Sequence, residues 1–431
     1  MDQQHHYQQN QEISQVQGKT GCRLRQSSEM QFPDIDKEKC LSFLSKLVQI
    51  KSYSQTDGEL TVTSHIAACM REIGLDTEIV PFDEEKRQNA VGTWRGRGKG
   101  DNAAKSLLFN GHLDTNPVSG GWTIDPWEGK VDDDFIYGIG VSNMKAGCAA
   151  YFCAVETLKA SGWMPRADVY LTFVVGELQG GVGTMALIEK GKIHADYFIN
   201  CEPSDIKAVT MHAEALIFEI VLRGVTRHMS AREEAADAIM AACKLIPKLN
   251  GMVFSGAKSK EHLKCNRCQI GVVHGALGDE LAEWRPPQVA DVCKLAGSAR
   301  YAPGQTQEGV MQDLAAVIEQ VILDFPGMTF ELKQRFEPTM PAFEVSPESH
   351  IVKSLNEAYY DVRGTQQPTG VLAPTCFYGS DAGHLYKSLG MEGVVCGPGG
   401  KYNTRPDEKV DIPDYLDCIR MFMRVIVEIC G

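Results

Sequence analysis

Apolar residues recur first with a helical period and then with a strand-like one. From Asp36, residues Leu41, Phe43, Leu44, Leu47 and Val48 fall on one helix face, and a second helix is predicted over 59–74 with Ile66, Met70 and Ile73 on one stripe. Short β-like runs follow at 77–82, 90–94 and 106–110. After Lys145 a long apolar helix runs to about Leu158, and 169–175 is apolar throughout, as expected of a strand buried on both faces. A helix from about Gly183 and a strand at 196–200 continue the alternation. Such a rhythm predicts an α/β fold with a mostly parallel sheet flanked by helices.

The rhythm changes near residue 213. Strands are predicted at 216–222, 269–273 and 289–295, with helices at 232–249 and 309–323, which describes an inserted α+β module. From Phe330 the chain is expected to return to the first domain, with a helix at 348–362, a strand at 393–396 and a last helix at 413–429. Residues 1–34 carry few large apolar side chains and read as a disordered leader. The division is therefore a leader at 1–34, a catalytic domain at 35–212 and 330–431, and an inserted lid or dimerisation domain at 213–329.

Charge and composition narrow the function. A formal net charge of −13 argues against nucleic acid or an anionic membrane as partner, and no apolar run is long enough for a membrane span. The polar start Met1-Asp2-Gln3-Gln4-His5-His6 has no secretory signal pattern. Most of the 14 cysteines sit in apolar runs, as free thiols do in a reducing compartment, so cytoplasm is the expected location.

Candidate chemistry begins at Gly111-His112-Leu113-Asp114, at the end of an apolar strand. Residues i and i+2 of a strand point the same way, so Asp114 can orient the His112 imidazole. A Gly-x-Gly turn then leads to Asn143-Met144-Lys145, a Gly-rich turn holds Glu177-Leu178-Gln179, and Cys201-Glu202-Pro203 leaves the next strand. Sites collect at strand C-termini in open α/β sheets. Asp381 opens a helix and on its own reads as a cap. Cys265 and Cys268 have zinc-knuckle or redox spacing but no second pair, and read as structural.

These segments, with Gly224-Val225-Thr226-Arg227-His228, Gly379-Ser380-Asp381-Ala382, Cys396-Gly397-Pro398-Gly399 and Pro406-Asp407-Glu408-Lys409-Val410, resemble the two-zinc amidohydrolase and exopeptidase family of acetylornithine deacetylase, succinyl-diaminopimelate desuccinylase, aminoacylase and carboxypeptidase G. The resemblance spans about 36–428. It implies a zinc-exopeptidase-like fold and a homodimer formed through the lid domain. It also implies metal ligands at His112, Asn143, Leu178, Glu202 and Thr404, with Glu177 as general base. His228 matches a histidine that steadies the oxyanion in a neighbouring subunit, and Arg300 an arginine near the substrate carboxylate. Asp381 matches an aspartate near the site, and Asn143, Asp381, Asn403 and Thr404, with Arg300, are the expected substrate-binding residues.

The chain departs from that pattern at three ligands. An amide, Asn143, stands at the bridging carboxylate, Leu178 at the second glutamate and Thr404 at the late histidine. Zinc prefers thiolate, imidazole or carboxylate donors, so the expectation is no two-zinc cluster and at most one weakly held zinc on His112 and Glu202. The expected activity is acid/base chemistry by Glu177 and His112 on an amide, imine or amino-acid-derived small molecule, without metal: condensation, cyclisation or isomerisation. A single-metal amide hydrolase and a non-catalytic binding relative are the alternatives.

Overall fold

The computed structural model describes residues 31–98, 104–283, 285–335 and 339–431. The expected leader at 1–34 lies almost wholly outside them. Asp36 accepts a hydrogen bond from the Lys39 amide and starts the helix Lys37–Gln49, which buries Leu41, Leu44, Leu47 and Val48 as the periodicity requires. The helix Gly58–Glu72 follows.

An eight-stranded sheet forms the centre. Its order is Asp76–Phe82, Arg87–Trp94, Val169–Val174, Leu107–His112, Tyr197–Asn200, Glu392–Val395, Ala208–Val209, Thr369–Gly370. The four strands from Val169–Val174 to Glu392–Val395 are parallel, while Asp76–Phe82 and Arg87–Trp94 add an antiparallel hairpin at one side. Strand Leu107–His112 is buried along its length because it has parallel neighbours on both sides and helices on both faces. One covering helix is Ala146–Ala160, whose alanines, cysteines and Gly147 allow close approach: a Cβ on Gly147 would lie 2.2 Å from the Cys201 carbonyl oxygen. The last helix, Ile412–Cys430, packs on it.

A second sheet is wholly antiparallel, in the order Arg267–Ala276, Val292–Tyr301, Glu214–Arg223, Thr329–Arg335. Helices Ala238–Asn250 and Gln307–Ile322 cover one face of it, and Leu216, Phe218, Ile220 and Leu222 meet Leu245, Leu249, Leu314 and Ile318 there. Two expectations are corrected here. The predicted helix at 232–249 starts only at Ala238, because Ala236 pairs with Val225 and Asp237 caps the helix by accepting from the Ile239 and Met240 amides. The chain does not leave this sheet at Phe330, because Thr329–Arg335 pairs with Glu214–Arg223. No helix among the described residues is long and apolar enough to cross a membrane.

Lys145 is wholly buried, yet its ammonium donates to the Leu47 and Ile50 carbonyls at 2.9 and 3.0 Å. These carbonyls end the helix Lys37–Gln49, so the lysine supplies the donors that the helix terminus lacks. Burial pulls its pKa down to about 7. Lys145→Met is expected to strand both carbonyls and to lower the unfolding free energy by about 1–3 kcal/mol in a denaturant titration.

Candidate active site

His112 ends its strand with 1% of its surface exposed. Its Nδ1 lies 2.9 Å from the Asp114 carbonyl oxygen and 3.4 Å from the Asp114 carboxylate. Both partners are acceptors, so Nδ1 carries the proton. The other nitrogen, Nε2, faces Asn143 Oδ1 at 3.1 Å, Glu202 Oε1 at 3.7 Å and Glu177 Oε2 at 3.8 Å. One donor atom from each of His112, Glu177 and Glu202 falls within 4.8 Å of the others.

Each side chain is delivered by a strand end. Glu177 opens a single turn, Glu177–Gln179, directly after Val169–Val174. Gly176, Gly180 and Gly181 take φ of 85°, 79° and 77°, a region that side-chain-bearing residues avoid, so the turn folds back tightly enough to aim Glu177 at His112. Glu202 leaves Tyr197–Asn200. Asn143 is held by its own amide, which donates to Glu408 at 3.1 Å beside the Ser142 amide at 2.7 Å.

The electrostatics agree with the geometry. Burial, then the neighbouring Glu202 charge, pushes the Glu177 carboxyl well above its ordinary range against the pull of His112. Burial raises Glu202 to about 7, and its Oε1 has no hydrogen-bond partner. For His112 burial acts downward, but Asp114, Glu202 and Glu177 outweigh it and hold the imidazole well above its usual value. Asp381 is 1% exposed and forms no cap bond with its helix, and its carboxylate faces Thr184 and His384. Its charge is felt by both glutamates, which favours the site-neighbour reading over the cap.

Of the other expected residues, one borders the cluster through Asn143 and the rest are placed elsewhere. Thr404 lines a cavity of about 290 Å³ with Asn143, Trp122 and Glu408, and the buried Asn403 Oδ1 has no partner. Leu178 faces a separate groove with Phe82, Val182 and Met185. His228 is exposed and caps its own turn through Ser230, and within one chain it does not join the cluster. Arg300 donates to the Phe377 carbonyl oxygen at 3.1 Å and lines a groove on the second sheet. Cys265 packs with Cys376, not in a site with Cys268, in agreement with a structural role.

Sequence reading missed a support network behind the cluster. The buried Glu59 and Arg87 pair through two hydrogen bonds of 2.7 and 2.6 Å. Arg87 also donates to Gln179 Oε1 at 3.1 Å, and the Ser54 hydroxyl lies 2.9 Å from Gln179 Oε1 and 3.0 Å from Asp114 Oδ2. Only Gln179, beside Glu177, carried any signal of a role in the sequence.

A family model for peptidase family M20/M25/M40 matches residues 108–428. The chain belongs to this family. Among curated M20/M25/M40-like relatives, N-formyl-4-amino-5-aminomethyl-2-methylpyrimidine deformylase of Bacillus subtilis is 25% identical over 401 residues, covering 86% of this chain and 89% of the relative. Acetylornithine deacetylase of Aliivibrio fischeri is 25% identical over 338 residues, covering 75% and 82%. Among solved structures, the aminopeptidase PepT of Bacillus cereus superposes with a TM-score of 0.71 at 20% identity, covering 92% of this chain and 100% of that one. The family metallo-carboxypeptidase Sso-CP2 of Sulfolobus solfataricus gives 0.69 at 19% identity, covering 90% and 98%. The metal-free condensation, cyclisation or isomerisation expected from the sequence finds no support among these relatives.

Proposed function

We propose that this M20/M25/M40 member hydrolyses an amide bond of a small N-acyl compound with one divalent metal ion at His112. The observation that carries this reading is the convergence on His112 Nε2. Three oxygen acceptors, Asn143 Oδ1, Glu202 Oε1 and Glu177 Oε2, surround a nitrogen whose ring partner already donates. Such an arrangement needs a positive charge at its centre, supplied by a proton or by a metal ion. The separations of His112 Nε2 from Asn143 Oδ1 and Glu202 Oε1, 3.1 and 3.7 Å, bracket the roughly 3.4 Å between two donors that each lie about 2.1 Å from one tetrahedral ion.

His112, Glu202 and the amide oxygen of Asn143 are the residues that would hold the ion. When bound, it would supply a Lewis acid for the scissile carbonyl. Asp114 holds the imidazole in the tautomer that leaves Nε2 free for the ion. Glu177 takes a proton from the attacking water and returns it to the leaving amine. Leu178 and Thr404 offer no carboxylate or imidazole, so the donor set fits one ion and not a pair. The outer strand Arg267–Ala276 exposes Val272 and Val273, which supports pairing of two copies there.

Metal analysis of protein purified without chelator is the test. About one equivalent of zinc, lost in Glu202→Gln, is expected. The combined change Asn143→Asp, Leu178→Glu and Thr404→His should raise the content to two. A purified wild type that holds no metal, and takes up none when zinc is added, would sink the proposal.

A further inference from the structure

Glu177 is aimed by a turn that has little bulk of its own. Gly176, Gly180 and Gly181 carry no side chains to wedge it, so hydrogen bonds must hold its shape. Within the turn, the Gly180 and Gly181 amides donate to the Glu177 carbonyl oxygen at 3.0 and 3.1 Å, and the Val182 amide donates to the Gly176 carbonyl oxygen at 3.2 Å. From outside, His384 Nε2 lies 2.8 Å from the Gly180 carbonyl oxygen. A carbonyl oxygen only accepts, so Nε2 carries the proton and donates. Gly180 is therefore held on both sides, its N–H by Glu177 and its C=O by His384.

The helix Ala382–Leu389 delivers this histidine, which is 6% exposed, to a partner 204 positions earlier in the chain. The two segments meet closely. At Gly181, whose φ is 77°, a Cβ would stand 2.6 Å from Asp381 Oδ1 and 2.7 Å from the His384 ring, so the approach requires glycine. The helix is itself anchored. Ser380, two residues before it, lies with Oγ 2.9 Å from Nε2 of the buried His212. His212 Nδ1 faces the Ala213 carbonyl oxygen at 3.2 Å and so carries the proton, which leaves Nε2 to accept from the Ser380 hydroxyl. His212 pairs with Phe343, and these two segments carry the chain into and out of the second sheet. His384 thus reaches the turn from a fixed base, opposite the grip of Arg87 on Gln179.

We propose that His384 is a positioning residue for the general base: its hydrogen bond to Gly180 fixes the turn that aims Glu177 at His112. Without that donor the Gly180 carbonyl oxygen loses its side-chain partner, and the conformational freedom of three glycines is restored to the turn. The catalytic meaning rests on the hydrolase reading, whereas the restraint on the turn does not depend on turnover.

Three variants of the full-length protein form the test. In His384→Gln the side-chain amide still reaches the Gly180 carbonyl oxygen; in His384→Asn it is one bond too short; in His384→Leu no donor remains. Amide exchange at Gly180, Gly181 and Val182 is expected to quicken about tenfold in the Asn and Leu variants, the effect of one lost hydrogen bond, and to stay near the wild-type rate in His384→Gln. The strand Leu107–His112 should stay protected in all three. Zinc content should match the wild type, because His384 lies outside the donor set. On a series of N-formyl and N-acetyl amino acids, kcat should fall by about 10–100-fold in the Asn and Leu variants with KM within twofold, as for a misaimed reacting group, and His384→Gln should recover most of the loss. Unchanged exchange at these amides in His384→Asn, a Gln variant no better than the Asn variant, or loss of zinc in step with activity would overturn the proposal. Should His384→Leu fail to fold, the Gln and Asn pair still decides. A wild type that hydrolyses none of these compounds would sink the hydrolase reading alone, since exchange reads the restraint on the turn without turnover.

Discussion

Glu177→Gln is expected to lower kcat for release of amine from N-formyl and N-acetyl compounds by about 10²–10⁴-fold, the range for loss of a general base. The substitution keeps the shape of the side chain and removes its ability to accept a proton. It should leave zinc content near that of the wild type, because His112, Glu202 and Asn143 remain. Glu202→Gln should do the opposite in order: metal is lost first, and activity with it. If Glu177→Gln loses metal as completely as Glu202→Gln, Glu177 is a ligand and the proton acceptor lies elsewhere. Asp381 and Asp114 are the other carboxylates whose charges reach the pair. The comparison of activity with metal content in the same two proteins separates base from ligand.

The parts of the site legible in the sequence share one property: each sits at the end of a strong local pattern. His112 and Asp114 end a six-residue apolar strand, Glu177 leaves another through a Gly-rich turn, and Glu202 leaves a third. Parallel strands all finish on the same side of the sheet, so three strand ends imply one cluster. Residues whose partners are distant in sequence left no such trace. Glu59 and Arg87 lie 28 positions apart, and Lys145 reaches carbonyls about a hundred residues earlier. The opposition of Arg267 and Arg300 depends on strand register, which a bulge between Ile270 and Val272 also alters. The paired segments Phe135–Tyr137 and Lys409–Asp411, which flank the Asn143 turn, are three residues each and too short to show a period. Thr329–Arg335 shows little strand pattern because only Phe330 and Leu332 mark its apolar face.

Arg87→Met is expected to cost about 3–5 kcal/mol of stability in a denaturant titration, the range for breaking a buried ion pair from one side. The cost comes from Glu59. Its side chain is 1% exposed, and among the described residues it keeps, without the guanidinium, the Gln55 amide at 2.9 Å and the Ser54 hydroxyl at 3.5 Å as donors, both neutral. A buried carboxylate so reduced must either protonate or drag water inward. Glu59→Met combined with Arg87→Met should therefore be less damaging than Arg87→Met alone, since it removes the stranded charge as well; a double variant as unstable as the single one would deny that charge is the cause. The same change reaches the active site. Arg87 holds Gln179, the last residue of the Glu177 turn, and Ser54 joins Gln179 to Asp114, which orients His112. Hydrogen exchange in Arg87→Met should quicken at the Glu177 and Gln179 amides while the Leu107–His112 strand stays protected. Activity in that variant should fall through kcat, because what is loosened is the aim of the base and the imidazole.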